Sequence, residues 1–118
     1  MSKRNNLLLL KDIVEAINNI DEYLTDFTED DFYRDRKTKD AVVRNLEIIG
    51  EASNQVTNEF KMLHTNIEWR ETADLRNKII HDYSGVDYVL LWEIIKLDIP
   101  DFKQKILNLI EQLEQLSK

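Results

Sequence analysis

The stretch RNKIIHDYSG, from Arg76 to Gly85, gathers an Arg, an Asn, a Lys, a His, an Asp and a Tyr around two isoleucines. Arg76 carries a cation that does not deprotonate in a protein. His81 belongs to the residue type that titrates near neutrality and moves protons there. Together they suit acid–base work beside a charge-stabilising group. On a helical wheel of about 100° per residue, Trp69, Ala73, Ile80 and Tyr83 share one face, with Arg76 in its middle. Asn77 and His81, four apart, fall on the adjoining flank, while Lys78 and Asp82 point away. An unpaired Arg in an apolar stripe would be strongly destabilising, so Arg76 is expected to have a partner or to open onto a cleft. Two readings follow. In the plain one, Arg76 pairs with a structural carboxylate such as Glu51 and His81 caps carbonyls at the helix C-terminus. In the functional one, Arg76, Asn77, His81 and Tyr83 form a site at one helix end. His64 has no such company and is expected on a surface loop.

Other chemistries find little support. The two glycines lie far apart, so no glycine-rich phosphate loop exists. Two histidines, no cysteine and no His-x3-His pair argue against zinc, and no Gly-x-Ser-x-Gly elbow occurs. The carboxylates are dispersed along helix faces, as solvated charge usually is. A net charge of −7 opposes a generic nucleic-acid binder. One segment runs against that background: YRDRKTKDAVVR supplies Arg34, Arg36, Lys37, Lys39 and Arg44. It is either a solvated turn or a local phosphate-binding patch.

The elements that must position these residues are helical. The chain of 118 residues suits one domain spanning 1–118, and with two glycines and one proline it has few breakers. Leu7, Leu10, Val14, Ile17 and Leu24 mark an amphipathic first helix. Thr28 before Glu29, Asp30 and Asp31 is an N-cap with an acidic first turn. A long third helix is predicted from about Lys37 to Lys61, with Val42, Leu46, Ile49, Ser53, Val56 and Phe60 on its apolar stripe. A fourth, from about Glu68 to Tyr83, carries the motif and stops at Ser84-Gly85. Asp87 caps a fifth, and Asp98 is placed to cap the last, with Pro100 in its first turn. The basic start before four leucines has no cleavage site behind it, which predicts a mature cytoplasmic chain. No run of about 18 apolar residues exists to span a membrane. The fold class expected is all-α, an up-and-down bundle of about five helices.

Arg76-x4-His81-x-Tyr83 on such a bundle resembles the Arg-x4-His-x-Tyr signature of the HepT-like toxin branch of the HEPN superfamily. The flanking stretches DRKTKDAVVRNLEIIGEASNQV and EWRETADLRNKIIHDYSGVDYVLLWEIIKLDIPDFKQKI are similar to that branch as well. The resemblance implies a homodimeric, metal-independent endoribonuclease without a cofactor, the toxin of a type VII toxin–antitoxin pair. Its implied partner, besides the RNA substrate, is a cognate minimal nucleotidyltransferase antitoxin that transfers AMP onto the motif tyrosine. By position, catalysis falls to Arg76 and His81, modification to Tyr83, and support to Asn77. The chemistry is coherent, because RNA supplies its own 2′-hydroxyl nucleophile and needs only acid–base groups and a cation. One chain offers one such His, so a two-fold dimer would bring two Arg and two His around one phosphate. A second reading, a non-catalytic helical adaptor that presents a nucleotide to the nucleotidyltransferase, is favoured by the acidic composition.

Overall fold

The computed structural model describes residues 3–81 and 85–116. Two antiparallel helix pairs make the frame. Helix α1 (Lys3–Tyr23) lies along α3 (Arg36–Gln55), and α8 (Ile99–Leu116) lies along α1. Direction is read from the ties between them. Asn6 meets Thr57 and Asn19 meets Asn45, while Lys11 pairs with Glu114 and Asp21 with Lys103. The inward stripe of α1 is Leu10, Ile13, Ile17 and Ile20, all fully buried; Leu7 and Val14 sit at its edge. Leu46, Ile49 and Val42 of α3 and Ile106 of α8 complete the centre, with Phe32 closing one end. The all-α architecture matches the expectation; no described helix is long and apolar enough to cross a membrane.

Helix α2 (Glu29–Arg34) begins as predicted. Asp31 N–H donates to Thr28 Oγ1 and Thr28 N–H donates to Asp31 Oδ2, a reciprocal cap. These bonds hold the Asp31 carboxyl below its ordinary range. The helix predicted to continue to Lys61 instead ends at Gln55, and α4 (Asn58–Leu63) follows with Thr57 as its N-cap. Asn6 explains the break. Its Oδ1 accepts the Thr57 N–H and its Nδ2 donates to Thr57 Oγ1, both at 3.1 Å, so that amide leaves the helical ladder. Val56 and Phe60 stay buried across the bend, so the stripe survives although the helix does not.

The segment predicted as one helix from Glu68 to Tyr83 departs further. It is two five-residue helices, α5 (Trp69–Ala73) and α6 (Leu75–Ile79), followed by a strand β1 (Ile80–His81). Adjacent β-branched isoleucines at 79 and 80 weaken helix continuation. The Ile79 carbonyl accepts a 2.7 Å bond from the Asp87 N–H, which closes the neck of the excursion. Within it, β1 pairs antiparallel with β2 (Gly85–Val86), Ile80 opposite Val86 and His81 opposite Gly85. Gly85 has φ 83°, a conformation that favours glycine, but it serves this ladder and not a helix stop.

Asp87 caps α7 (Tyr88–Glu93) as predicted, its Oδ1 accepting from Leu90 N–H at 3.0 Å. Asp98 caps nothing. A π turn, Ile94–Asp98, runs straight into α8, with Ile99 N–H donating to the Ile94 carbonyl. Pro100 lacks an amide donor and its ring crowds the preceding turn, and a widened turn just before it accommodates both. Among the described residues the bundle therefore holds eight α-helical pieces where about five were expected.

Candidate active site

α3 brings its outer face against the α5–α6 junction because residue 50 is glycine. A Cβ there would stand 3.2 Å from the Thr72 carbonyl oxygen and 3.4 Å from that of Ala73. Any larger residue would hold the two elements apart. At this contact an open groove of about 940 Å³ is lined by Arg44, Glu47, Glu51 and Asn54 of α3, Asn58 and Lys61 of α4, and Arg70, Asp74, Arg76 and Asn77 of α5–α6.

Arg76 lies in this groove, not embedded in an apolar stripe: its side chain is 60% exposed. The expected wheel fails because the helix is interrupted at Asp74, which turns Leu75 and Ile79 inward and leaves Arg76 facing out. The demand for a partner or a cleft is met twice over. Arg76 Nε–H donates to Glu47 Oε2 at 3.3 Å, and the groove lies open around it. The partner is Glu47 and not Glu51, which lines the same groove one turn further along α3. Asn77 donates to Asp74 Oδ1 at 2.6 Å, so its amide is held at the α6 N-terminus beside the same groove.

His81 is not on the helix that carries Arg76. It is the second residue of β1, its backbone paired with Gly85. The plain reading has it cap carbonyls at the helix C-terminus; α6 ends at Ile79, whose carbonyl accepts from the Asp87 N–H. Tyr83 lies outside the described residues. His64 is the half-exposed C-cap of α4, its ring 4.4 Å from that of Phe60.

The five basic residues do not form one patch, because Arg34 ends α2 and α3 winds the other four to different sides. Arg34 and Arg36 flank a shallow recess with Asp31 and Asp35. Lys37 is exposed, and Lys39 stands 4.5 Å over the Tyr88 ring. Arg44 alone joins Arg76 in the groove. Lys61 and Arg70 complete its cations, and neither was singled out from sequence. The available signal was the spacing of Arg44, Glu47 and Glu51 on one α3 face, which would have marked a charged strip opposite the motif. Among the described residues no three His, Asp or Glu side chains converge as a metal site would require.

A family model described as ribonuclease HepT-like matches residues 13–109. Over 103 residues the chain is 50% identical to a protein of Thermococcus cleftensis named "Probable ribonuclease HepT", covering 87% of this chain and 94% of that one. It is 42% identical over 106 residues to a candidate RNase of Methanocaldococcus jannaschii, covering 90% and 97%. A second protein of that organism, named as a gamma-glutamylcyclotransferase and candidate RNase, is 44% identical over 108 residues. That match takes in 92% of this chain but 49% of the relative. No solved structure matches the chain.

Proposed function

The chain belongs to the HepT-like ribonuclease family and has its all-α HEPN fold, and from that premise we propose that it is a cytoplasmic toxin that cleaves RNA without a metal ion. The observation that carries the reading is the placement of Arg76, a cation 60% exposed over an open groove and steadied at one nitrogen. In the proposed reaction the 2′-hydroxyl of the substrate attacks the adjacent phosphorus, and the bond to the 5′-oxygen breaks. A neutral His81 takes the 2′-hydroxyl proton, and a protonated His81 from the partner of a two-fold dimer protonates the leaving 5′-oxygen. Arg76 stabilises the charge that grows on the phosphoryl oxygens. The products are a 2′,3′-cyclic phosphate and a 5′-hydroxyl. Arg44, Lys61 and Arg70 line the path of flanking phosphates, and Asn77 supports the Arg76 side of the site.

Regulation follows from the tyrosine. A cognate minimal nucleotidyltransferase antitoxin would transfer AMP from ATP to the Tyr83 hydroxyl, releasing pyrophosphate. The new phosphodiester adds about one negative charge beside the motif, which competes with substrate phosphate for Arg76. Co-expression should raise the intact mass of the chain by whole AMP units and silence cleavage. Tyr83→Phe should fold, escape modification and stay toxic beside the antitoxin. AMP found on Tyr23, Tyr33 or Tyr88 would overturn this regulation.

The ribonuclease reading is tested by incubating the purified chain with RNA in EDTA. Cleavage that persists and leaves cyclic phosphate ends supports it. A specific feature favours the adaptor reading instead: Glu47, Glu51 and Asp74 line the same groove. A wild-type chain that binds the nucleotidyltransferase, cuts no RNA and is harmless when expressed would establish that alternative.

A further inference from the structure

We propose that Glu47 is the positioning residue that aims Arg76 at the substrate phosphate, an inference that rests on the ribonuclease reading above. The two residues differ in how firmly they are held. Arg76 projects from a five-residue helix, and its own side chain is 60% exposed. Among the described residues no hydrogen bond from α6 holds this long side chain; its bond goes to Glu47. Glu47 projects from the middle of the twenty-residue α3, between Leu46 and Ile49, which are both fully buried. Its side chain is only 31% exposed. The spacing between α3 and the α5–α6 junction is set by the close approach at Gly50, one turn from Glu47. The carboxylate is therefore the fixed member of the pair and the guanidinium the adjustable one.

The bond geometry fits this division. A guanidinium has five N–H donors on a planar fork. Glu47 Oε2 takes the single donor on Nε at 3.3 Å, at the base of the fork. The terminal nitrogens keep their donors for the phosphoryl oxygens. A cation aimed in advance has no reorganisation left to perform as charge develops. An exposed ion pair contributes little to folding, so removing the carboxylate should be felt in rate and hardly in stability.

The test compares wild type, Glu47→Ala and Glu47→Gln in kcat and KM for a short RNA, in thermal midpoint, and in the 15N-resolved Arg76 Nε–H signal. Glu47→Ala should lower kcat by about tenfold to a hundredfold, leave KM nearly unchanged, leave the midpoint in place, and expose the Nε proton to fast exchange with water. Glu47→Gln should recover most of the rate and the slow exchange, because its amide oxygen still accepts from Nε–H. A Glu47→Ala protein as fast as wild type overturns the proposal, and so does a Gln variant no better than the Ala variant. A fall in rate that tracks a fall in midpoint would assign Glu47 a merely structural role. If wild type cuts no RNA, the ribonuclease reading fails and takes this proposal with it. If wild type cuts and only the Glu47 predictions fail, the ribonuclease reading stands.

Discussion

Helix α3 and the segment that starts at Trp69 meet at the groove, which residues from Trp69 to Asn77 line on the segment's side, and the two are built on opposite plans. α3 is one uninterrupted helix whose buried stripe spaces Val42, Leu46, Ile49 and Ser53 at three and four residues. The facing segment breaks at Asp74, breaks again after Ile79, and becomes a short ladder. Regular periodicity makes α3 stiff and leaves its backbone groups spent within the helix. Interrupted structure turns side chains such as Arg76 out of the packing and toward solvent. In the proposed reaction the chemistry sits on the broken element, and the unbroken one supplies the carboxylate that meets Arg76.

The comparison breaks first if the segment does not hold the chemistry. Arg76→Ala and His81→Ala should each lower RNA cleavage by about 10²–10⁴, measured under single-turnover conditions. Because Arg76 is exposed and its one described bond is a surface pair, helicity and thermal midpoint should hardly change in its variant. Loss of helicity in Arg76→Ala would mean that the residue belongs to the scaffold after all.

Next in size is a pair of core truncations that sharpens the division. Leu46 on α3 and Ile79 on α6 are both fully buried. Each alanine variant should cost about 2–5 kcal/mol in urea unfolding. Leu46→Ala should sit near the upper end, because α3 packs on α1 as well as on the segment. Ile79→Ala should also depress cleavage in the fraction that remains folded, whereas Leu46→Ala should not. Equal effects on folded-state cleavage would merge the two regions into one.

How much of this was legible in the sequence depends on where each signal resides. Thr28 and Asp87 were identified as caps because a cap is a local contract between a side chain and amides two or three residues on. The stripe of α3 was legible for the same reason. The break at Thr57 was not, since it depends on Asn6, fifty-one positions away in the chain. Asp98 misled because a cap signal preceding a proline also suits a continuous helix that widens into a π turn. Arg76 is expected within an apolar stripe and lies instead exposed in an open groove. A single wheel through Asp74 assumes an unbroken helix, and the phase of a wheel does not survive an interruption. Its partner Glu47 was missed in favour of Glu51, one turn away, because the register between two helices is set by contacts such as Gly50 that periodicity does not encode.

A smaller effect probes the neck of the excursion. Asp87 lies where the segment meets α7, its amide closing on Ile79 and its carboxylate capping α7. Asp87→Ala keeps the amide and loses the cap, at a cost of about 1 kcal/mol. Hydrogen exchange should quicken at the Leu90 amide and within α7 while that of α3 is unchanged. Uniform acceleration across both would show that the segment and the scaffold open as one unit.

The smallest expected effect on stability tests the contact between the two plans directly. Gly50→Ala adds one methyl where the Thr72 carbonyl oxygen would stand 3.2 Å away and the Ala73 carbonyl oxygen 3.4 Å. Two terms oppose each other. Alanine in a helix interior is favoured over glycine by about 1 kcal/mol, and the crowded methyl costs a comparable amount unless α5 backs away. The obstructing atoms are backbone, so α5 yields by a few tenths of an ångström as a unit and carries the α6 start with it. Net stability should therefore change by less than about 1 kcal/mol. The consequence for Arg76 is larger in proportion. Its bond to Glu47 is already 3.3 Å long, and widening the junction lengthens it past useful hydrogen-bonding distance. Cleavage should fall severalfold with a near-normal urea midpoint, and Arg76 Nε–H should exchange faster with water. Wild-type cleavage in a Gly50→Ala protein of unchanged stability would mean that the spacing of these two helices does not set the aim of Arg76.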